Sequence, residues 1–323
     1  MNYAKEIEKI GIVPVIKIND VEKAVPLAKA LIAGGLPVAE ITFRTSAAEE
    51  AIRRVANECP EMLVGAGTVL TIEQAEKAKN AGAKFIVSPG FNPKVVKWCV
   101  DNGILVTPGI TSPSEIEQAL ELGLDVVKFF PAEQSGGLPK IKALSAPYSS
   151  LKFMPTGGID LTNLTSYIKN KKILACGGSF MVKEDFINNE EWDKITDLCK
   201  QSVNTMLGLS IGHIGINCEG DAEAKKVGAL ISGFMGLPME RDTDKSLFVG
   251  SEFEVMKSAS FGKGTNGHIA ILTNTVDRAV YHLEKRGVEF DMETATYNAD
   301  GTMKFVYAKE TIGGFGFHLI ERK

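Results

Sequence analysis

The alternation of short apolar runs with amphipathic stretches is the feature that most constrains the fold of this 323-residue chain. From residue 11 to about 180, runs typical of buried strands recur in units of about 20–25 residues, and a stretch with helical periodicity follows each. Eight units of this kind predict an α/β fold with a closed parallel (β/α)8 barrel of the TIM type. The eight strand candidates are residues 13–18, 37–43, 62–69, 84–89, 104–108, 125–130, 152–157 and 172–178.

An open doubly wound sheet is the alternative architecture for alternating strands and helices. It is disfavoured because no Gly-x-Gly-x-x-Gly motif follows the first strand, where a dinucleotide-binding sheet carries it. Helix-start signals support the strand–helix alternation. Thr71 stands three residues before Gln74, and Ser112 directly precedes Pro113.

The pattern changes after about residue 206, where strand-like segments become longer and turn signals more frequent. A weak internal repeat appears there. GHIGIN at 212–217 and GHIAIL at 267–272 each precede a helical stretch, at about 221–236 and 276–287. Each half then continues into further strand-like segments. This repeat predicts an α+β domain of paired β-α-β-β-β modules.

Length and composition fit two globular domains, a barrel at residues 1–206 and the paired modules at residues 210–323. The net charge of −4 argues against a nucleic-acid or polybasic membrane partner. The five cysteines include no Cys-x-x-Cys pair, which favours a reducing compartment. No signal-peptide pattern occurs at the start, and no apolar run approaches the ~20 residues of a membrane span. We therefore expect a cytoplasmic protein with no membrane or nucleic-acid partner.

Lys128 lies inside the apolar strand candidate DVVKFF. Burial disfavours the ammonium form of a lysine and so frees the amine to attack a carbonyl carbon. The alternative is a lysine at a strand end whose ammonium group reaches water.

On the candidate strand PVAEITF, side chains alternate, so Glu40, Thr42 and the following Arg44 share one face. A carboxylate and a guanidinium there suit proton transfer and binding of a substrate carboxylate, although a buried ion pair is the alternative.

Paired glycines end the last two strand candidates, in PTGGI (155–159) and CGGS (176–179). Glycine lets backbone N–H groups approach an anion closely, and barrels of this type often bind phosphate after strands seven and eight. Tight turns without a ligand are the alternative. The two pairs together predict a phosphate site at this end of the barrel.

These segments together resemble the 2-dehydro-3-deoxyphosphogluconate (KDPG) and 4-hydroxy-2-oxoglutarate (KHG) aldolase family, over about residues 4–205. The resemblance rests on six motifs in order: EITFRT (40–45), GAGTVL (65–70), SPGFNP (88–93), VKFFPAE (127–133), PTGGI (155–159) and GGSFMV (177–182). It implies a lysine-dependent, Schiff-base aldolase that needs no cofactor. The implied reaction cleaves 2-dehydro-3-deoxy-6-phosphogluconate to pyruvate and glyceraldehyde 3-phosphate, and 4-hydroxy-2-oxoglutarate to pyruvate and glyoxylate.

The resemblance also implies roles for individual residues. Lys128 would form the Schiff base, and Glu40 would move protons through a water molecule. Arg44 and Thr68 would hold the carboxylate derived from pyruvate, and Pro89 would shape the pocket. The phosphate group would bind to Gly157, Gly158, Gly178 and Ser179. The family further implies a homo-oligomer, a trimer. A non-catalytic sugar-phosphate sensor is disfavoured because Lys128 and Glu40 are both present.

Residues 210–323 resemble the vicinal-oxygen-chelate superfamily, which includes glyoxalase I and extradiol dioxygenases. The resemblance rests on the duplicated module and on the positions of three of the four histidines. It implies a divalent metal, Zn, Ni, Mn or Fe(II), held by His213, Glu254, His268 and His318, although a carboxylate is more usual at the position of His318. The alternatives are a degenerate pocket, or a non-catalytic module for ligand binding or oligomerisation. The remaining histidine, His282, is predicted to lie on the surface of a helix.

Overall fold

The structure, a computed structural model, describes residues 2–322. It consists of two compact units, of which the first ends at Met206 and the second begins at Leu207. Among the described residues, no helix combines the length and apolar character needed to cross a lipid bilayer.

Eight parallel strands form the first unit, as predicted. Neighbouring strands pair in chain order, and the first strand also pairs with the eighth. Two isolated parallel bridges, Phe153 with Ile173 and Thr156 with Gly177, join the segment of the seventh strand to the segment of the eighth strand and so close the barrel. The strands are β1 (Ile12–Ile16), β2 (Val38–Thr42), β3 (Leu63–Gly67), β4 (Phe85–Ser88), β5 (Leu105–Ile110), β6 (Val126–Phe129), β7 (Lys152–Pro155) and β8 (Cys176–Gly178).

Helices surround this barrel, and their starts follow the sequence signals. Thr71 accepts a hydrogen bond from the Gln74 amide at 3.2 Å, and Ser112 with Glu115 forms a capping box. The helices are α1 (Tyr3–Ile10), α2 (Ala24–Ala33), α3 (Ala48–Glu58), α4 (Ile72–Asn80), α5 (Pro93–Asp101), α6 (Pro113–Glu121), α7 (Gly137–Ser145), α8 (Leu164–Ile168), α9 (Glu184–Asn188) and α10 (Trp192–Leu207), with a single 3-10 turn at Val21–Lys23. The strands are almost wholly buried, so any polar side chain on them requires an explanation.

The second unit is one eight-stranded sheet made of two β-α-β-β-β modules, again as predicted. Its strand order is β10-β11-β12-β9-β13-β16-β15-β14, and the first strands of the two modules pair antiparallel at the centre. The elements are β9 (Ser210–Asn217), α11 (Asp221–Met235), β10 (Met239–Asp242), β11 (Ser246–Val249), β12 (Phe253–Met256), β13 (Gly267–Thr273), α12 (Val276–Glu284), β14 (Phe290–Tyr297), β15 (Met303–Ile312) and β16 (Phe315–Glu321), with a 3-10 turn at Ala259–Phe261.

Strand alternation separates an apolar face from a polar face in this sheet. In the first module, Leu247, Val249 and Val255 belong to a buried cluster that includes Ala224 of α11. The intervening residues, such as Glu254, therefore point to the opposite face. The polar side chains that matter below all lie on that second face.

The prediction for His282 was wrong. This residue lies on α12 as expected, but it is only 3% exposed, and its ring packs edge-on against Tyr281. Arg278, four residues earlier and on the same side of the helix, is also buried at 5% exposure. The buried face of α12 is therefore wider than its apolar stripe, because polar residues extend it.

Candidate active site and candidate metal centre

Lys128 and Glu40 meet inside the barrel, although 88 residues separate them in the chain. Lys128 lies on β6 and Glu40 on β2, and they are 5% and 1% exposed. The Lys128 Nζ donates to Glu40 Oε1 at 3.3 Å, and Nζ also lies 5.1 Å from the centre of the Phe130 ring. A buried amine beside a buried carboxylate is a suitable pair for nucleophilic attack coupled to proton transfer.

The Glu40 carboxylate lies directly against Gly67, the last residue of β3. A Cβ at Gly67 would stand 2.2 Å from Glu40 Oε1, so only glycine leaves room for the carboxylate there. The other oxygen, Oε2, is buried and finds no hydrogen-bond partner among residues 2–322. Glu40 thus has one oxygen bound to the lysine and one oxygen available to accept a proton from a bound molecule.

Thr68, which directly follows β3, has a backbone φ of 56°. A β-branched residue rarely adopts this left-handed conformation, and the strain costs on the order of 1–3 kcal/mol. Such strain is concentrated at functional sites. Thr68 lies at the carboxyl end of the barrel strands, as do the half-buried Pro89 after β4 and the exposed Arg44 after β2.

The two glycine-rich loops lie side by side, because Thr156 pairs with Gly177 across the closing strands. Gly157 and Gly158 both have positive φ values, 99° and 78°. Their carbonyl oxygens accept hydrogen bonds from Glu133 N at 3.1 Å and from Asn163 Nδ2 at 2.8 Å. Glycine at a strand end lets backbone amides approach an anion closely, so the two neighbouring loops are a candidate anion site.

The predicted barrel residues therefore occupy two levels. Lys128 and Glu40 form a buried floor. The other predicted residues surround this floor at the strand ends; among them Arg44, Gly158 and Ser179 are exposed. The structure brings Lys128 and Glu40 into direct contact. Sequence reasoning did not assign a role to Thr156, whose buried Oγ1 has no partner among the described residues and contacts the Gly177 position.

In the second unit, the strand register places four predicted metal ligands on one face. Along one row across the sheet, Glu254, Gly215 and His268 are neighbours. Along the next row, His213 and His318 lie on either side of Ala270.

The side chains of the two rows can approach one another because Gly215 has no side chain. A Cβ there would stand 2.2 Å from the ring of His268, so this ring lies over the glycine and reaches toward Glu254. His213 Nε2 lies 3.0 Å from His268 Nε2 and 3.2 Å from Glu254 Oε2, and the third side of this triangle is 3.3 Å. Ligands ~2.0–2.1 Å from one tetrahedral metal ion lie about 3.3 Å apart, which matches these separations. His213, His268 and His318 can all present a ring nitrogen within 4.8 Å of one another.

The protonation states of Glu254 and His318 suit a cation. Burial opposes ionisation of Glu254, but hydrogen bonds from His213, His268 and Ser246 outweigh it and hold the carboxyl pKa well below its usual range. Burial, together with the neighbouring histidines, lowers the pKa of His318 to about 3. The Nδ1 atom of His318 is buried without a partner in the part of the chain that the structure describes. Neutral imidazoles and an ionised carboxylate are the forms that bind a divalent metal.

Three further residues line this centre and were not identified from the sequence. Ser246 donates to Glu254 Oε1 at 2.7 Å and so orients the carboxylate. The ring centroids of Phe305 and Tyr307 lie 4.6 Å and 5.0 Å from the ring centroid of His318. Strand alternation predicts which face these residues occupy, but their contacts with Glu254 and His318 depend on the register between strands.

Comparison with known proteins concerns the barrel. The profile of the family described as KDPG and KHG aldolase matches residues 4–198, which lie wholly within the first unit. The 2-dehydro-3-deoxy-phosphogluconate aldolase of Treponema pallidum is 51% identical over 197 residues, which are 61% of this chain and 94% of the relative.

Solved structures agree with this comparison. The KDPG aldolase of Legionella pneumophila, solved with pyruvate captured at low pH as a covalent carbinolamine intermediate, has a TM-score of 0.60 and 39% identity. It is matched over 61% of this chain and 96% of that protein. The 2-keto-3-deoxy-6-phosphogluconate aldolase of Zymomonas mobilis ZM4, solved with 3-phosphoglycerate, has a TM-score of 0.58 and 39% identity, over 62% of this chain and 95% of that protein.

Proposed function

The chain belongs to the KDPG and KHG aldolase family, and from this premise we propose that its barrel cleaves 2-dehydro-3-deoxy-6-phosphogluconate to pyruvate and glyceraldehyde 3-phosphate. The enzyme class is that of the lysine Schiff-base lyases. The observation that carries the proposal is the buried contact of 3.3 Å between Lys128 Nζ and Glu40 Oε1. It joins a nucleophile to a proton acceptor in a buried site.

The reaction begins when the Lys128 amine adds to the C2 carbonyl of the substrate. The resulting carbinolamine loses water to give an iminium ion, which withdraws electrons from the C3–C4 bond. Glu40, directly or through one water molecule, takes the proton of the C4 hydroxyl, and the unpartnered Oε2 is the oxygen available for it. The C3–C4 bond then breaks, glyceraldehyde 3-phosphate leaves, and the bond's electron pair forms an enamine. Protonation of the enamine at C3 and hydrolysis of the imine release pyruvate and regenerate the amine.

In this proposal, the predicted residues at the carboxyl ends of the strands form the rim of the site and orient the substrate. Arg44 and Thr68 bind the carboxylate next to the reacting carbonyl, and Pro89 limits the pocket. The amides of Gly157 and Gly158, with Gly178 and Ser179 of the neighbouring loop, bind the phosphate. A shorter substrate, 4-hydroxy-2-oxoglutarate, would use the same floor and carboxylate site without the phosphate loops, and the family description supports this second activity.

Trapping tests the covalent step. Incubation with pyruvate and borohydride should attach a three-carbon unit to Lys128, detected by peptide mass mapping, and should abolish turnover. Lys128→Arg should remove both labelling and activity, because a guanidinium stays protonated and forms no imine. Lys152→Arg is the matched control, since Lys152 also lies on a barrel strand but pairs with Glu8. Labelling confined to any other lysine would refute the mechanism.

A second function concerns the C-terminal unit, for which we propose binding of one divalent cation, Zn, Ni, Mn or Fe(II), by His213, Glu254, His268 and His318. The spacing of the ligand atoms and the orphaned Nδ1 of His318 support it. The resemblance to vicinal-oxygen-chelate enzymes supports a metal-dependent second activity, for which a bound ion would supply a Lewis acid. The alternative, a non-catalytic module for ligand binding or oligomerisation, predicts no metal requirement.

Metal content and thermal stability distinguish these alternatives. The full chain should contain about one divalent ion after purification or reconstitution, and a chelator should lower the melting temperature of the C-terminal transition. His213→Ala or His268→Ala should abolish this chelator sensitivity. His282→Gln, which alters a buried histidine outside the cluster, should retain it. Absence of bound metal in the reconstituted protein would favour the alternative. The same samples measured by light scattering test the trimer that the family implies.

A further inference from the structure

Thr42 is the last residue of β2 and lies between the floor and the rim of the barrel site. It is 1% exposed and shares one face of the strand with Glu40 and Arg44. Its hydroxyl makes two contacts: Oγ1 donates to the Ile16 carbonyl of β1 at 2.7 Å, and it accepts from Arg44 Nε at 3.1 Å. The only side chain that this buried hydroxyl contacts, in the described residues, is therefore that of Arg44.

The direction of these two bonds follows from the chemistry of a hydroxyl. Thr42 has one O–H, and the carbonyl of Ile16 can only accept, so the proton is committed to that bond. Only lone pairs remain toward Arg44, and a guanidinium can only donate. The Arg44 Nε–H is therefore held by an acceptor that is itself fixed to a barrel strand.

This contact determines which edge of the guanidinium is available. An arginine binds a carboxylate with two parallel hydrogen bonds, through either its Nε–Nη edge or its Nη–Nη edge. With Nε occupied by Thr42, the Nη–Nη edge remains. The Glu184 carboxylate interacts electrostatically with Arg44, but it forms an ion pair with Lys17 at 2.9 Å. Lys17 therefore competes with Arg44 for this carboxylate.

We propose that Thr42 is a positioning residue, which presents the Nη–Nη edge of Arg44 to the substrate carboxylate. The inference rests on the proposed aldolase function and adds the orientation in which Arg44 binds. Thr42 does not touch the substrate. It acts by reducing the number of conformations of the long, exposed Arg44 side chain, so less conformational entropy is lost when the carboxylate binds.

The test compares two ligands that differ in one charge. Half-saturation of borohydride trapping at Lys128 is measured with pyruvate and with pyruvamide, in which a neutral amide replaces the carboxylate. Thr42→Val keeps the shape of the side chain but removes the acceptor. It should raise the half-saturating concentration of pyruvate by about 3- to 10-fold, the usual net worth of one hydrogen bond. Pyruvamide should be little affected, and Thr42→Ser should restore the wild-type value.

Thr45 supplies a matched control. Its Oγ1 donates to the Ile18 carbonyl at 2.5 Å, as Thr42 does to Ile16, but among the described residues no hydrogen bond joins it to Arg44. Thr45→Val therefore removes the same kind of backbone contact without altering the guanidinium. Equal effects of the two substitutions, or equal effects of Thr42→Val on pyruvate and pyruvamide, would overturn the inference. If Thr42→Val does not fold, Thr42→Ala provides the same comparison.

Arg44→Ala separates failure of this inference from failure of the proposed function. It should weaken pyruvate binding more than pyruvamide binding, because it removes the charge that faces the carboxylate. A selective effect of Arg44→Ala without one of Thr42→Val would refute the positioning role alone. Equal weakening of pyruvate and pyruvamide binding in Arg44→Ala would show that Arg44 does not bind the carboxylate, and the role of Arg44 in the proposed function would fall together with the inference.

Discussion

At the scale of single residues, the barrel depends on a buried charged pair. Glu40 and Lys128 are almost inaccessible, and each is the other's charged neighbour at 3.3 Å. Removing one member of a buried pair generally leaves an uncompensated charge, so substitutions here must preserve shape and hydrogen bonding to report on chemistry. This requirement determines which variants are informative.

Glu40→Gln is the substitution that meets this requirement. Glutamine keeps a hydrogen-bonding oxygen near Lys128 but cannot accept the proton of the C4 hydroxyl. We expect kcat to fall by about 10²- to 10⁴-fold, the usual contribution of a general base. Pyruvate and borohydride should still label Lys128 at saturating pyruvate. Wild-type turnover in steady-state assays would exclude Glu40 as the base.

Gly67→Ala tests the space that Glu40 occupies. The new Cβ would approach Glu40 Oε1 to 2.2 Å, so the carboxylate must leave the position from which it contacts Lys128. We expect a loss of kcat comparable with that of Glu40→Gln, with the barrel still folded by circular dichroism. Gly90→Ala is the control, because a Cβ there meets nothing within 4 Å. Similar kinetics for the two alanine variants would contradict the proposed role of the Glu40 position.

At the scale of elements, the carboxyl ends of the strands gather residues that the chain keeps apart. The bridge between Thr156 and Gly177 brings the glycine loops of β7 and β8 together, and hydrogen bonds from Glu133 and Asn163 hold the first loop. The barrel closure therefore brings together the two loops of the proposed anion site, and neither loop forms it alone.

Ser179→Asp places a negative charge beside this anion site. The KM for the phosphorylated substrate should rise, by on the order of 10-fold if one charge-assisted hydrogen bond is lost and a repulsion gained. The KM for 4-hydroxy-2-oxoglutarate, which lacks the phosphate, should change much less. Ser179→Ala serves as the uncharged control, and steady-state kinetics with both substrates provide the measurement. Equal changes for both substrates would remove this loop from the phosphate site.

The modules of the second unit share a topology but differ in packing. Helix α11 has 15 residues and α12 only nine, so α12 covers less of its half of the sheet. A cavity of about 400 Å³ lies in the second module, lined by apolar side chains that include Leu283, Phe290 and Phe317. The corresponding layer of the first module contains a buried apolar cluster. The two modules thus share the topology of the sheet but differ in how the helix layer packs against it.

At the scale of the whole molecule, the chain combines two units with different chemistry. In the proposed mechanism, the iminium formed on Lys128 is the electron sink, whereas the second unit gathers histidines and a carboxylate. A chelator should therefore leave the aldolase reaction unchanged while it lowers the stability of the second unit. Loss of turnover on chelation would show that the two units are coupled or that the barrel reaction needs a metal.

Burial of thiols provides a pH-dependent probe of barrel folding. Burial raises the pKa of Cys99 and of Cys199 to about 12, whereas an unfolded thiol has a pKa of about 8.5. Between these values the unfolded state loses protons that the folded state keeps, so barrel stability should fall as pH rises from about 8.5 to 12.

At pH 8, iodoacetamide should label these cysteines rapidly in urea and slowly in the native protein. Mass spectrometry of both samples checks this, and rapid native labelling would contradict the burial.

Local periodicity was sufficient to predict the two folds, because strand and helix patterns depend on which side chains must be buried along each segment. It also identified Lys128 and Glu40 as polar residues on apolar strands. Three facts depended on tertiary structure alone: the contact between these two residues, the left-handed conformation of Thr68, and the burial of His282. Each arises from register and packing between segments far apart in the chain. A pattern within one segment determines which face is buried, but only the neighbouring segments determine what that face touches.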